Sequence, residues 1–190
     1  MAGFSVQDFA TALPQGGARS GLFQCVISIP NLGGGIAGST EADKRFKLTA
    51  HASSVPASTI EPVDVSYFGR TFSIPGSRTF EDWTTTIYNT EDFKVRDAIE
   101  KWSEAINGHE TNTTAIAAIG LDAASGISGA GGAYTADVKV ELMDKKGTAL
   151  RTYTMFDAWP AGIGAIDLAW EGNDIQTFEV TWSYNYWLAS

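Results

Sequence analysis

A mainly β fold of antiparallel strands with a single α-helix is predicted from three observations. From Gln176 to Trp187 one face carries Phe178, Val180, Trp182, Tyr184 and Tyr186, while Thr177, Glu179, Thr181, Ser183 and Asn185 lie on the other. Tyr134, Ala136, Val138, Val140 and Leu142 alternate in the same way with Thr135, Asp137, Lys139 and Glu141. Alternation with period two is the pattern of a strand with one packed side and one wet side. The third observation is one stretch with a different period: Val95, Ile99, Trp102 and Ile106 recur at helical spacing.

The remaining elements follow in chain order. Phe23, Cys25, Ile27 and Ile29 line one face of a strand that stops at Pro30. Residues 63–68, the pair Gly69-Arg70, and residues 71–74 read as a hairpin, and Thr79 to Tyr88 is rich in the Thr, Trp and Ile that suit a pleated surface. The helix is predicted between Thr90 and Asn107, with Asn89 or Thr90 as cap and Glu91 and Asp92 where the dipole favours negative charge. Asp92 with Arg96 and Asp97 with Lys101 are expected i,i+4 pairs, and Asn107-Gly108 is the expected stop. The turn Asp144-Lys145-Lys146-Gly147 leads into residues 149–156, the second arm of another hairpin. Two segments, near 31–45 and 108–133, are glycine-rich or Ala/Gly-rich without a period and read as long, flexible loops.

A length of 190 residues with 44% hydrophobic and 18% charged residues describes one packed domain spanning 1–190. Cys25 is the only cysteine, so an intramolecular disulfide framework is excluded, and only His51 and His109 are available as imidazoles. Thirteen basic residues against 22 acidic ones leave a net charge of −9, which disfavours nucleic-acid binding through a basic patch. No apolar run approaches the ~20 residues of a membrane span, and the N-terminus has no basic region followed by an apolar stretch. The reading is a soluble acidic protein of a reducing compartment.

A search for chemistry returns little. Gly33-Gly34-Gly35 lacks the Gly-Lys-Ser/Thr ending of a phosphate-binding loop, and residues 126–130 miss the last glycine of a nucleophile elbow at Ser128. Cys25 falls on an apolar strand face and reads as a small buried hydrophobe. His51 is placed on the wet face of an alternating segment formed by Phe46, Leu48, Ala50 and Ala52. Asp167, Glu171 and Asp174 near Trp170 would suit a sugar or a cation, although acidic turns need no such explanation. No catalytic residue, cofactor or metal ligand is assigned. The C-terminal end is aromatic and acidic, with four of the six tryptophans and no Lys or Arg after Arg151. Its alternation fits a strand lining an aqueous channel and an ordinary sandwich strand equally well.

Two long ordered segments carry a resemblance. The first runs from Gly69-Arg70-Thr71-Phe72-Ser73-Ile74-Pro75-Gly76 through Arg78, Phe80, Trp83 and Asn89 into the helix with Arg96 and Trp102. The second runs from Trp159-Pro160 through Gly164, Asp167-Leu168 and Trp170 to residues 173–181 and Tyr186-Trp187. Together they resemble the tail tube proteins of contractile-tailed bacteriophages, a fold shared with the tubes of type VI secretion and related injection particles. The resemblance extends over most of the chain, and the two loop segments depart from it.

It implies an antiparallel β-sandwich or barrel-like subunit with one flanking α-helix, joined through edge strands into homo-hexameric rings that stack into a tube. The implied partners are further copies of the chain, the tail sheath protein, the baseplate and tail terminator proteins, and a tape measure protein and DNA inside the lumen. The DNA would pass without sequence-specific binding, and no membrane is involved. The implied location is the virion tail, assembled in the host cytoplasm. Exposed-looking aromatic groups at tips and termini nominate Phe4, Phe9, Tyr67, Phe68, Gly69, Arg70, Tyr186 and Trp187 as subunit-interface residues. The alternatives are the tube of a secretion or injection device and, in another class, a carbohydrate-binding β-sandwich or a hydrolase using His109 or Ser128.

Overall fold

The computed structural model describes residues 5–13, 17–30, 39–109, 134–172 and 174–190. The elements, in chain order, are α1 (Val6–Ala12), β1 (Phe23–Ile27), α2 (Ser39–Thr49), β2 (Ala50–Ser53), β3 (Ser58–Tyr67), β4 (Arg70–Phe80) and β5 (Trp83–Tyr88). They continue with α3 (Lys94–Ile106), β6 (Ala136–Met143), β7 (Ala149–Ile163), β8 (Thr177–Ser183) and β9 (Tyr186–Ala189). Phe4, residues 31–38, Ser128 and all of the 108–133 segment beyond His109 lie outside the described residues.

Seven strands form one antiparallel sheet in the order β1-β6-β7-β8-β5-β2, with β9 added beside β7, while β3 and β4 form a separate two-stranded ribbon. The fold is the expected antiparallel, mainly β one; among the described residues the path ends at β1 and β2, so the sheet is not a closed barrel. The bend lies in β7. Its first half pairs with β6 and β9, and its second half pairs with β8. Between the halves, Asp157 takes a φ of 55°, and the register against β6 slips between Ala136 and Val138. A bulge of this kind kinks a strand and increases its twist, which lets one strand serve two sheet halves.

Inward side chains from both halves meet in one cluster. Cys25, Ile27, Val138, Val140 and Met155 come from one half, and Trp83, Ile87, Phe178, Val180 and Trp182 from the other. Helices α2 and α3 add Ala42, Phe46, Val95, Ala98, Ile99 and Trp102. Trp182 is the hub, with Phe46, Trp102 and Trp83 rings centred 6.1, 5.7 and 6.4 Å away. Burying an indole of ~200 Å² stabilises by about 5 kcal/mol before entropic costs. Each buried indole N–H has an acceptor: Trp83 donates to the Ser54 carbonyl, Trp102 to the Tyr134 carbonyl and Trp182 to the Thr85 hydroxyl.

Several expectations change. The single predicted helix is α3, and two more exist among the described residues. Helix α2 covers Ser39–Thr49, so the second half of the loop expected near 31–45 is helical. The alternating reading of Phe46, Leu48 and Ala50 fails with it: Phe46 is buried with Ala42 one turn away, and Leu48 is exposed. Helix α3 begins one turn later than expected, with Phe93 at the N-cap in a left-handed conformation and no side-chain cap. Asn89 instead bonds to Gln176 through its backbone and its side chain.

The expected Asp92–Arg96 pair is replaced. Asp92 binds Arg45 at 2.6 Å and Lys94 at 3.7 Å, tying α2 to the start of α3. The Thr90 hydroxyl that donates to Asp92, and then Arg45 and Lys94, hold its carboxyl below the ordinary range. Arg96 pairs with Glu100, donates to the Gly164 carbonyl and lies over the Phe178 ring, so it fastens α3 to the end of β7 and to β8. Asp97–Lys101 forms as expected, and the helix stops at Asn107.

Candidate assembly surface

Among the described residues, none packs over the ribbon as the core is packed, and nearly every ribbon side chain is exposed. In β3 and β4, Val63 pairs with Ile74, Val65 with Phe72 and Tyr67 with Arg70, which places these six residues on one face. Asp64, Ser66, Thr71 and Ser73 occupy the other, where the Ser73 hydroxyl donates to Asp64. Val63, Val65, Phe72 and Ile74 are all exposed, Phe72 by 66%. An exposed apolar strip of this kind gains nothing in water, which makes it the candidate contact surface of the fold.

The tip is a two-residue turn at Phe68 and Gly69, with φ of 44° and 76°. Two left-handed residues in succession are the requirement of a type I′ hairpin turn. Glycine meets that requirement without cost, whereas a phenylalanine in the left-handed region is strained by roughly 1 kcal/mol or more. Phe68 is 89% exposed and stands edge-on to Tyr67 at 4.5 Å. A solvent-facing aromatic held in a strained backbone conformation makes the tip a candidate contact point.

The root is rigid. Only Glu81 and Asp82 separate β4 from β5. On the β3 side, the Trp83 indole donates to the Ser54 carbonyl at 2.7 Å and the Trp187 indole donates to the Ala57 carbonyl at 3.3 Å. Midway, the register slips between Ile60 and Pro62. There a Cβ on Gly76 would sit 2.6 Å from the Glu61 carbonyl oxygen and 2.7 Å from a Val63 methyl. Beside the root, the hydroxyl of Tyr184 is buried without a hydrogen-bond partner, and burial, then Asp82 and Glu81, push its pKa up.

The nominated residues divide into three groups. Tyr67, Phe68, Gly69 and Arg70 are brought together at the ribbon tip. Phe9 lies apart on α1, a helix with no buried residue. Tyr186 and Trp187 start β9, where the alternation running from Phe178 to Tyr184 breaks at Asn185. The Asn185 side chain donates to Asp157, and the chain crosses to pair with the other half of β7. Tyr186 stacks on Phe156 at 4.8 Å, and Trp187 packs edge-on against Tyr153 while holding the ribbon root.

The sequence nominated the tip but not the exposed apolar row of Val63, Val65, Phe72 and Ile74 behind it. Register across the turn would have aligned that row.

The residues weighed for chemistry are scattered. Cys25 is fully buried, and burial pushes its thiol up to about 11. His51 is exposed and stacks on Tyr88, and His109 is exposed at the end of α3. A cleft of about 480 Å³ is lined by Asp167, Asp174 and Glu179 together with Thr86 and Gln176. Trp170 stands wholly exposed and does not line it, so the indole and the carboxylates do not form one sugar platform. Among the described residues, no helix is long and apolar enough to cross a membrane, and no group of three or more His, Cys, Asp or Glu is placed to hold a metal.

The fold defines a class: an open, bent antiparallel β protein with a projecting arm. A family model described as phage tail tube protein matches residues 18–190. Tail tube protein gp19 of Enterobacteria phage T4 is 30% identical over 184 residues, covering 96% of this chain and 98% of that protein. The tail tube protein of Serratia phage KSP90 is 27% identical over 175 residues, covering 91% of this chain and 89% of that protein. A chain in the extended-state sheath/tube terminator of an extracellular contractile injection system superimposes with a TM-score of 0.62 at 14% identity, covering 90% of this chain and 95% of that one. A chain in the anti-feeding prophage baseplate gives 0.61 at 12% identity, covering 91% and 95%. The chain belongs to the phage tail tube protein family. It is a structural protein and not an enzyme.

Proposed function

We propose that copies of this chain close into hexameric rings, and that stacked rings form the inner tube of a contractile tail through which the genome leaves. The observation that carries this reading is the ribbon: a rigidly rooted arm with an uncovered apolar face and a strained aromatic tip. A monomer has no use for such an arm, whereas a ring of identical neighbours covers it. The open ends of the sheet at β1 and β2 support the same reading, because unpaired edge strands invite pairing between copies.

Interface residues in this scheme are Phe4, Phe9, Tyr67, Phe68, Gly69, Arg70, Tyr186 and Trp187. A net charge of −9 per copy suits a conduit for DNA, since an acidic wall repels phosphates and leaves no adhesive site. Sheath, baseplate and terminator proteins are the outer partners, and the tape measure protein and DNA the inner ones. The complete tube belongs to the virion after assembly in the host cytoplasm. The same architecture would serve a secretion or injection device, from which a DNA-filled tube distinguishes it.

Negative-stain microscopy of the purified protein tests the reading, with hollow rods or rings of uniform width expected. Arg70→Glu should abolish them while circular dichroism stays unchanged. Wild-type protein that remains monomeric at high concentration would overturn the proposal.

A further inference from the structure

We infer that the ribbon tip of one copy seats in the acidic cleft at the far end of β5 and β8 of a neighbouring copy, with Arg70 among the carboxylates and Phe68 against Leu168 and Ile175. The inference rests on the tube reading and names the receiving site for the arm within it.

The two features lie at opposite ends of the same pair of strands. Trp83 faces Trp182 where β5 begins, and there the link Glu81-Asp82 joins the ribbon to the sheet. Tyr88 faces Thr177 where β5 ends, and the cleft opens at that end, lined by Thr86, Thr177 and Glu179. Five steps of ~3.3 Å put about 17 Å between the two ends. Among the described residues, no part of the ribbon lines the cleft. A contact between a projecting tip and a distant recess joins unlike surfaces. Every copy that gives its tip still offers its cleft, so the contact repeats along a stack.

The chemistry of the two is complementary. Residues 65–72 contain one cation, Arg70, and no carboxylate, whereas residues 165–179 contain four acids and no cation. Arg70, Asp167, Asp174 and Glu179 are each without an ion pair among the described residues. Arg96, which lies over the Phe178 ring at the cleft wall, is already engaged by Glu100 and the Gly164 carbonyl. Acidic turns need no partner by themselves, but these carboxylates line a recess of about 480 Å³ that also carries Leu168 and Ile175, both exposed apolar side chains. A recess of that size lies in the range, roughly 300–1,000 Å³, that encloses a small ligand.

The tip presents its two groups together. Tyr67 and Arg70 pair across the turn on one face, and the Phe68 ring stands 4.5 Å from that of Tyr67. The guanidinium brings a planar fork of donors suited to carboxylates, and the strained, exposed Phe68 ring brings the apolar surface that Leu168 and Ile175 lack.

The lone native thiol, Cys25, is fully buried, so introduced thiols report without interference. Phe68→Cys and Ile175→Cys chains are purified separately, mixed, assembled and exposed to a mild oxidant. The expected result is a reductant-sensitive band at twice the chain mass that neither population gives alone. A chain carrying both substitutions should give a ladder of multiples, because the contact continues from copy to copy. A monomer-mass internal disulfide, a ladder that stops at two chains, or a dimer from Phe68→Cys alone overturns the inference. Rods that form without any cross-link in the mixture do the same.

Where the cysteine variants form no rods, charge exchange decides. Arg70→Glu should lose rods, as should the pair Asp174→Arg and Glu179→Arg, and all three together in one chain should restore them. A combination that restores nothing overturns the docking while leaving the tube reading intact. Wild-type chains that form no rods remove the tube reading itself.

Discussion

The Trp182 indole N–H donates to the Thr85 hydroxyl at 2.9 Å, and both residues are buried where β8 and β5 pair. Thr85 is 1% exposed, a polar side chain set inside the apolar core. It gives the indole N–H at the hub of the core its acceptor, 97 residues away in sequence.

Thr85→Val keeps the shape and removes the acceptor. A buried N–H left without a partner costs about 1–3 kcal/mol. For a domain of this size that is a fall in Tm of roughly 2–10 °C. Thr85→Ser retains the acceptor and should recover most of the loss, as differential scanning fluorimetry would show. Equal melting of the valine and serine variants would remove the hydrogen bond from the account.

Gly76 tests the ribbon separately from the core. An alanine there meets the Glu61 carbonyl at 2.6 Å, a separation that requires backbone movement. Gly76→Ala should distort the register between β3 and β4 and prevent rod formation. The transition reported by tryptophan fluorescence should remain where it was, because Trp83, Trp102 and Trp182 lie in the sheet core.

Phe68→Asn separates folding of the tip from its use. Asparagine tolerates the left-handed conformation at the first turn position, so the hairpin should be stabilised by up to about 1 kcal/mol. Assembly should weaken all the same, because the exposed ring is gone. Sedimentation read beside hydrogen exchange of the ribbon amides would show opposite changes. Unaltered assembly would mean that the ring makes no contact.

Cys25 predicts a dependence on pH. Its folded-state pKa of about 11 lies above the ordinary value of 9.0, because burial disfavours the thiolate. The fold therefore prefers the protonated thiol. The stability linked to this group is complete below pH 9.0 and is lost as pH rises toward about 11. Cys25→Ala should flatten that alkaline decline. Iodoacetamide at pH 8 should leave the native thiol unmodified and label it only after unfolding.

Much of this was legible in the sequence because period two is a strong signal wherever one face is packed. Phe178, Val180 and Trp182 alternate in the chain and are buried in the fold, and so do Val138 and Val140. Helix α2 escaped notice because its buried stripe is only Ala42 and Phe46, set among Thr, Glu, Asp, Lys and Arg. The break at Asn185 escaped because Tyr186 continues the alternation in sequence, whereas in space β9 crosses to another partner strand. At the candidate surface, the aromatic tip announced itself by composition. The roots did not, since the bonds from Trp83 to Ser54 and from Trp187 to Ala57 span 29 and 130 residues.

The two-residue link from β4 into β5 has a mechanical consequence. Glu81 and Asp82 leave no slack between the arm and the strand that carries Trp83. A load applied at Phe68 would pass through this link toward the tryptophan cluster, and the indole bonds at Ser54 and Ala57 would resist hinging on the other leg. A filament built from such parts would transmit thrust along its length with little flexing at the joints, as a piston rod does.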